Sequence, residues 1–269
     1  MSRVVVTGAA SGIGKALTTA LARAGRRVCA TDVTQDGLAR AGAAERWSDS
    51  IVMTEFLDVT SERDWEATLD AVVARWGGFD VLCNVAGVLA PGFVTELTAA
   101  DCDKQMAVNV KGTVLGTAAA ARRLIAAKNP GHIVNVGSLA SLSPVPGLSL
   151  YCASKWAVRG FSLSVATELA PHGIAVSLVC PDAVETPMLD LQKGRPEAAL
   201  TFSGQRPLTV AEVVDVIVGQ VLRTRPLEVA IPTGRGLLAR AGGLAPGLAQ
   251  KLYPAMKKKG LDAQRRTGR

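Results

Sequence analysis

Aromatic side chains make up only 4% of the 269 residues, and histidine occurs twice, at His132 and His172. So few rings leave little with which to stack bases, and nucleic acid is not expected as a partner despite a formal net charge of +7. The two histidines stand apart without metal-ligand spacing, so each is expected to be a surface or hydrogen-bonded residue and no metal is expected. The five cysteines, Cys29, Cys83, Cys102, Cys152 and Cys180, are odd in number and form no CxxC pair, which favours reduced thiols over disulfides or a zinc site. No apolar run approaches the ~18 residues of a membrane span. The opening "MSRVVVTG" enters a strand at once without a leader, so a cytoplasmic location is expected. GxSxG and HExxH are both missing, which removes the common hydrolase and metalloprotease signatures.

The positive charge sits in one place. From Arg235 onward there are nine Lys or Arg and one acid, Asp262, leaving the first 234 residues at −1. A nearly neutral body with a basic tail is not the charged face of a nucleic-acid-binding domain. Residues 1–234 are therefore read as one domain and 235–269 as a basic, partly amphipathic extension.

What is present is a repeated alternation. The runs "RVVVTG", "RRVCATD", "SIVMTEF", "FDVLCNVAG", "GHIVNVGS", "IAVSLVCP" and "LEVAIP" read as buried strands, with helical patterns between most of them. Short, continuously apolar strands separated by helices predict an α/β fold, a doubly wound parallel sheet of about seven strands with helices on both faces. Ligands in such sheets bind beyond the carboxyl ends of the strands, near the switch point.

The first strand runs into "TGAASGIGKALTTALA", a strand, glycine loop and helix. Gly8, Gly12 and Gly14 permit a tight turn and close approach of a pyrophosphate to the free N–H groups of the helix start. The spacing GxxxGxG is neither the GxGxxG fingerprint nor a P-loop, since Lys15 is followed by Ala16. Asp32 ends the second strand, where a carboxylate can accept hydrogen bonds from an adenosine ribose and repel a 2'-phosphate, favouring NAD over NADP. A turn or cap role is the plain alternative for Asp32. Asp58, after strand three, is similarly placed to meet the adenine amino group. In "YCASK", Tyr151 and Lys155 lie four residues apart on one helix face, where an ammonium would stabilise phenolate and lower the tyrosine pKa.

Together "TGAASGIG" at 7–14, Asp32, "DV" at 58–59, "NVAG" at 84–87, "VNVKG" at 108–112, "VGS" at 136–138, "YCASK" at 151–155 and "PDAVETPM" at 181–188 resemble the short-chain dehydrogenase/reductase family up to about Pro232. The resemblance implies a Rossmann-like single domain that interconverts a secondary alcohol and its ketone by hydride transfer with NAD. Tyr151 would be the general acid/base, and Ser138 would hydrogen-bond the substrate oxygen. Lys155 would also hold the nicotinamide ribose, and Asn109 a water linking Lys155 to solvent. Cofactor contacts would come from Gly8, Ser11, Gly12, Ile13 and Gly14, from Asp32, from Asp58 and Val59, and from Asn84, Ala86 and Gly87. Pro181, Val184 and Thr186 would position the carboxamide. Family members often assemble as tetramers or dimers, so a homo-oligomer is expected.

Two departures stand out. Val85 replaces the usual second asparagine of NNAG, removing an amide that could tie strands together. Asp182 replaces the usual glycine after Pro181, either tuning substrate choice or simply occupying a turn. The segments outside the motifs, "VLAPGFV", "LASLSPVPGLSL" and the substrate loop 187–206, are apolar and suit a lipophilic secondary alcohol or ketone. Other readings are an NADPH-dependent 3-ketoacyl carrier-protein reductase and a non-catalytic NAD-binding partner protein. In the tail, Leu237, Ala241, Leu244, Leu248 and Leu252 recur at helical spacing, interrupted by Gly242-Gly243 and Pro246-Gly247. Two short amphipathic helices and a solvated basic end, "KKKGLDAQRRTGR", are predicted, serving as a lid over the substrate pocket, as an anchor at an anionic membrane surface, or as a loosely packed solubilising tail.

Overall fold

All seven strand runs form, as β1 (Arg3–Thr7), β2 (Arg27–Asp32), β3 (Val52–Phe56), β4 (Val81–Asn84), β5 (His132–Val136), β6 (Ala175–Pro181) and β7 (Glu228–Ile231). They lie in a single parallel sheet in the order β3-β2-β1-β4-β5-β6-β7. The order reverses between β1 and β4, so a crevice opens where their carboxyl ends part. The computed structural model describes residues 2–267.

The helices are α1 (Gly12–Arg23), α2 (Gln35–Glu45), α3 (Glu62–Trp76), α4 (Ala99–Gln105), α5 (Gly112–Ala126), α6 (Ser149–Leu169), α7 (Pro187–Asp190), α8 (Val210–Val216), α9 (Leu222–Thr224), α10 (Thr233–Leu244) and α11 (Pro246–Thr267). Strand periodicity sorts the core into two layers. Val4 and Val6 of β1 face Leu17 and Leu21 of α1 and Val213 of α8, while Val5 faces the opposite layer with Trp65 of α3 and Leu124 of α5. Both faces of each central strand are thus buried, which is why the strands read as unbroken apolar runs.

Two local features depart from the sequence pattern. The long helical stretch after residue 99 contains a π-helical turn at Met106–Lys111 between α4 and α5, and Asn109 lies within it. Such turns insert one residue into the helical ladder and re-aim side chains.

The tail also differs. Gly242 and Gly243 do not stop α10 but lie inside it, and α11 continues through Pro254 and the basic stretch instead of leaving it solvated as an irregular end. Tertiary contacts override the weak local propensity: Gln264 Nε2 donates to the carbonyls of Gln192 (3.2 Å) and Arg195 (3.3 Å). Gly268 and Arg269 of the predicted basic end lie outside the described residues. Of the expected apolar stripe, Leu248 and Leu252 line the main cavity with Leu238, whereas Leu237 and Leu244 do not.

Candidate active site

The carboxyl ends of β1, β4, β5 and β6 open into one cavity of 1360 Å³. At its switch-point end the turn after β1 holds Gly8 at φ 70° and Gly12 at φ 51°, in the left-handed region that favours glycine. Gly14 is required for a different reason, since a Cβ there would lie 2.2 Å from the Gly8 carbonyl oxygen. Ser11 precedes α1 without a side-chain capping bond, so the helix start opens to the cavity, where Ser11 and Ile13 are part of the wall.

Asp32 is fixed from both sides. Its Oδ1 accepts from Thr34 N (3.0 Å) and Thr34 Oγ1 (2.6 Å), and its Oδ2 accepts from Ala10 N (3.1 Å). The turn role foreseen as the plain alternative for Asp32 is thus present, and the same carboxylate also holds the glycine loop through Ala10 N. Asp58 makes a similar turn, accepting from Thr60 N (2.9 Å) and Thr60 Oγ1 (2.8 Å), with buried Val59 beside it on the cavity wall.

The chain beyond β4 is held without the amide that Val85 replaces. Thr7 Oγ1 accepts from both Val85 N (2.9 Å) and Ala86 N (3.0 Å). The tie between β4 and β5 comes instead from Asn84 Nδ2 donating to Asn135 Oδ1 (2.9 Å), and this is how Asn84 is used. Ala86 and Gly87 line the cavity.

Ser138 caps a short 3₁₀ turn just past β5, its Oγ accepting from Ala140 N (3.1 Å). Tyr151 and Lys155 reach the same region from the first turns of α6, and both are buried. The Lys155 ammonium lies 5.7 Å from the Tyr151 ring centroid and donates to the Val136 carbonyl (3.0 Å). Contrary to the expectation of a lowered tyrosine pKa, burial pushes the phenol up, while the Ser138 hydroxyl acts the other way. Burial likewise brings Lys155 down to about 8. Desolvation penalises both charged forms and is the largest cause of each shift.

Asn109 has a bracing geometry. Its Nδ2 donates to Val88 O (2.9 Å) and Ser154 Oγ (3.0 Å), and its Oδ1 accepts from Val88 N (2.8 Å). The side chain ties the loop after β4 to α6, with both amide protons already engaged. A Cβ on Gly87 would sit 3.3 Å from Asn109 Oδ1 and 3.6 Å from Lys155 Nζ, so this glycine keeps the passage between them open.

After β6, Pro181, Val184 and Thr186 turn back toward the glycine loop, and a Cβ on Gly12 would come within 3.1 Å of Thr186 Cγ2. Asp182 pairs with Arg235 at the start of the tail, with Arg235 Nη2 also donating to Oδ1 at 3.5 Å. Burial raises the Asp182 carboxyl, and the guanidinium opposes this.

Sequence reasoning missed Arg235 and also Gln105, which lines the cavity from α4 and is fully buried. Gln105 Oε1 accepts from Ala90 N (3.3 Å), while its Nε2 has no partner. Its spacing four residues before Asn109 was the available signal. Among the described residues no group of His, Cys, Asp or Glu could hold a metal. His132 is a satisfied core residue bonded to Ser177 Oγ (2.9 Å), and His172 is exposed. Cys102 is exposed and the other four cysteines are buried; all five are free. Glu168 and Glu185 are both exposed.

A doubly wound sheet with a glycine turn at its switch point defines a dinucleotide-binding class of enzyme. The family model described as short chain dehydrogenase matches residues 2–195. The chain is 37% identical over 228 residues to 2-(R)-hydroxypropyl-CoM dehydrogenase of Xanthobacter autotrophicus, covering 81% of this chain and 90% of that one. It is 34% identical to cyclopentanol dehydrogenase of a Comamonas strain, covering 78% and 87% respectively. A short chain dehydrogenase/reductase from Burkholderia phymatum, solved in complex with NAD, superposes with a TM-score of 0.80 at 28% identity, covering 92% of this chain and 95% of that one. The chain belongs to the short-chain dehydrogenase/reductase family and is an oxidoreductase.

Proposed function

We propose that this protein is an NAD-dependent dehydrogenase/reductase that interconverts a lipophilic secondary alcohol and its ketone. The observation that carries the reading is the convergence of Ser138, Tyr151 and Lys155 beyond β5, in the same cavity as the glycine turn and Asp32. The dinucleotide fits the residues present. The glycine turn leaves no room for a Cβ at Gly14, the start of α1 is free to face a pyrophosphate, and Asp32 presents an oriented carboxylate where a 2'-hydroxyl is accepted and a 2'-phosphate repelled. When bound, the nicotinamide ring supplies or accepts the hydride.

The protein's own groups manage the proton and the geometry. Burial keeps the Tyr151 phenol protonated near neutral pH, the state that donates to a carbonyl oxygen during reduction. In the oxidation direction the same oxygen takes the proton from the alcohol. The Ser138 hydroxyl donates to the reacting oxygen as negative charge develops there. Lys155, held by Val136 O, supplies positive charge beneath the phenol and reaches the ribose hydroxyls, and Asn109 braces the loop over it. Val59, Ala86 and Gly87 line the cavity where they would flank the dinucleotide, and Pro181, Val184 and Thr186 would hold the carboxamide end, whereas Asn84, expected as a cofactor contact, is buried in its tie to Asn135 and does not line the cavity. The relatives named 2-(R)-hydroxypropyl-CoM dehydrogenase and cyclopentanol dehydrogenase support an alcohol or ketone substrate. The family resemblance supports a homo-oligomer.

The test is a panel of secondary alcohols and ketones followed by NADH absorbance, run with both NAD and NADP and repeated with Tyr151→Phe. Turnover with NAD that vanishes in the variant supports the reading. Preference for NADP, or turnover retained in the variant, overturns it.

A further inference from the structure

The 1360 Å³ cavity exceeds the roughly 300–1,000 Å³ of a single small-molecule site, so it has room for a second ligand beside a dinucleotide. The wall of that second part is supplied by α10 and α11, and four observations show that these helices are docked in a defined place. Gly243 lies against the Leu142 carbonyl, where a Cβ would come within 2.2 Å of the oxygen, and Gly260 lies against the Ala199 carbonyl, where a Cβ would come within 1.9 Å. Arg235 pairs with Asp182. Arg240 Nη2 donates to Glu228 Oε1 (2.8 Å), whose other oxygen takes Arg159 of α6. Burial alone would raise the Glu228 carboxyl, but hydrogen bonds from the two arginines bring it below the usual range. Close-packed glycines and partly buried ion pairs are the marks of a fitted interface.

The face that α10 and α11 turn into the cavity is largely apolar, with Arg235 and Lys259 as its charged members. Leu238, Leu248 and Leu252 line the concavity yet remain 61%, 60% and 52% exposed, and Met256 extends the wall one turn further. Leucines half exposed inside a concave site are surface that a ligand can cover, and burying them is favourable in proportion to the area removed from water. Leu191 and Leu200, from the segment after β6, line the same cavity.

We infer that α10 and α11 complete an apolar chamber that receives the hydrocarbon body of the substrate, making Leu248, Leu252 and Met256 specificity-determining residues. The substrate class is then a secondary alcohol or ketone with an extended or polycyclic hydrocarbon body, and this inference rests on the proposed alcohol/ketone activity. Asp182, the departure next to Pro181, finds its reason here: it anchors the start of this wall beside the reacting end of the site.

The test uses the full chain and secondary alcohols lengthened two carbons at a time from butan-2-ol. In the unaltered protein kcat/KM should rise about fourfold per added methylene until the chamber is filled. In Leu252→Gln and in Leu248→Gln the ratio of kcat/KM for decan-2-ol over butan-2-ol should fall by roughly tenfold or more. A ratio that does not change overturns the inference while leaving the proposed activity intact. If no alcohol or ketone is turned over, the proposed activity fails, and the chamber is judged separately by calorimetric binding of decan-2-one in the presence of NAD. Binding that weakens in both variants supports the chamber. Absent binding, or equal binding in all three proteins, overturns it.

Discussion

The two ends of the cavity are built by opposite means. The dinucleotide end is made of strand ends and backbone: the Gly8–Gly14 turn, the Asp32 and Asp58 carboxylates held in short turns, and Thr7 gathering two consecutive amides. Its partners are mostly close in sequence or joined by strand register. The outer end is made of side chains from α7, α10 and α11, seated by pairings such as Arg235 with Asp182, which are 53 residues apart. Polar recognition by backbone demands particular residues at particular φ and spacing, whereas an apolar wall asks only for volume and shape. The first is therefore confined to a motif and the second is free to vary.

The strongest way to break this comparison is at the point where the two ends meet. Tyr151→Phe removes the exchangeable proton and leaves the ring packing, so turnover should fall by about 10² to 10⁴ while NADH binds unchanged in a fluorescence titration. Because burial raises the phenol pKa, the deprotonated form is scarce at neutral pH. Alcohol oxidation should accordingly climb as pH rises, while ketone reduction should stay flat until the pH nears the raised pKa of the phenol. A pH-independent oxidation rate would contradict the assigned base.

Next in size is a lesion of the outer end alone. Gly260→Val places methyl groups against the Ala199 carbonyl, and overpacking of this kind destabilises by about 1–3 kcal/mol. The loss should be local: limited proteolysis should cut α11 first, with the NADH dissociation constant unaltered. Loss of NADH binding in step with the tail would show the two ends to be one cooperative unit.

Asp32→Ser addresses the inner end alone. If Asp32 repels a 2'-phosphate as proposed, its removal should shift the ratio of kcat/KM for NAD over NADP toward NADP by roughly tenfold. An unchanged ratio would reduce Asp32 to its turn with Thr34.

The smallest effect lies at the opposite end of the sheet and serves as a control on both. Burial, with Arg225 nearby, lowers the His132 pKa to about 4, so the unfolded chain binds more protons than the folded one between that value and the ordinary ~6.5. Stability from this group is present above pH ~6.5 and is lost as pH falls toward 4, with a slope of at most about 1.4 kcal/mol per pH unit. His132→Gln should flatten that part of the urea-unfolding stability profile and leave both ends of the cavity unaffected.

Much of this molecule was legible before its structure. All seven strands follow from strand-length apolar runs, the glycine turn from the spacing of glycines between a strand and a helix, and the shared face of Tyr151 and Lys155 from i,i+4 spacing, while the placement of Ser138 beside them was implied by the family resemblance. The unread part consists of contacts between distant residues. Nothing in "NVAG" discloses that Asn135 will meet Asn84, and nothing in "PDAV" discloses that Arg235 will meet Asp182. Of the two interruptions expected in the tail, the one at Pro246-Gly247 separates α10 from α11, while Gly242-Gly243 was misread, because Gly243, like Gly260 further on, serves close packing inside a helix.

The sequence by itself determined the sheet, the tight glycine turn after β1 and the shared helix face of Tyr151 and Lys155, because backbone sterics and side-chain period act over a few residues. Tertiary structure alone decided the π-helical turn that aims Asn109, the direction of the Tyr151 and Lys155 pKa shifts, and the path of α11 over the cavity. Each of these depends on desolvation or on contacts between segments far apart in the chain, and those energies exist only once the segments have been brought together.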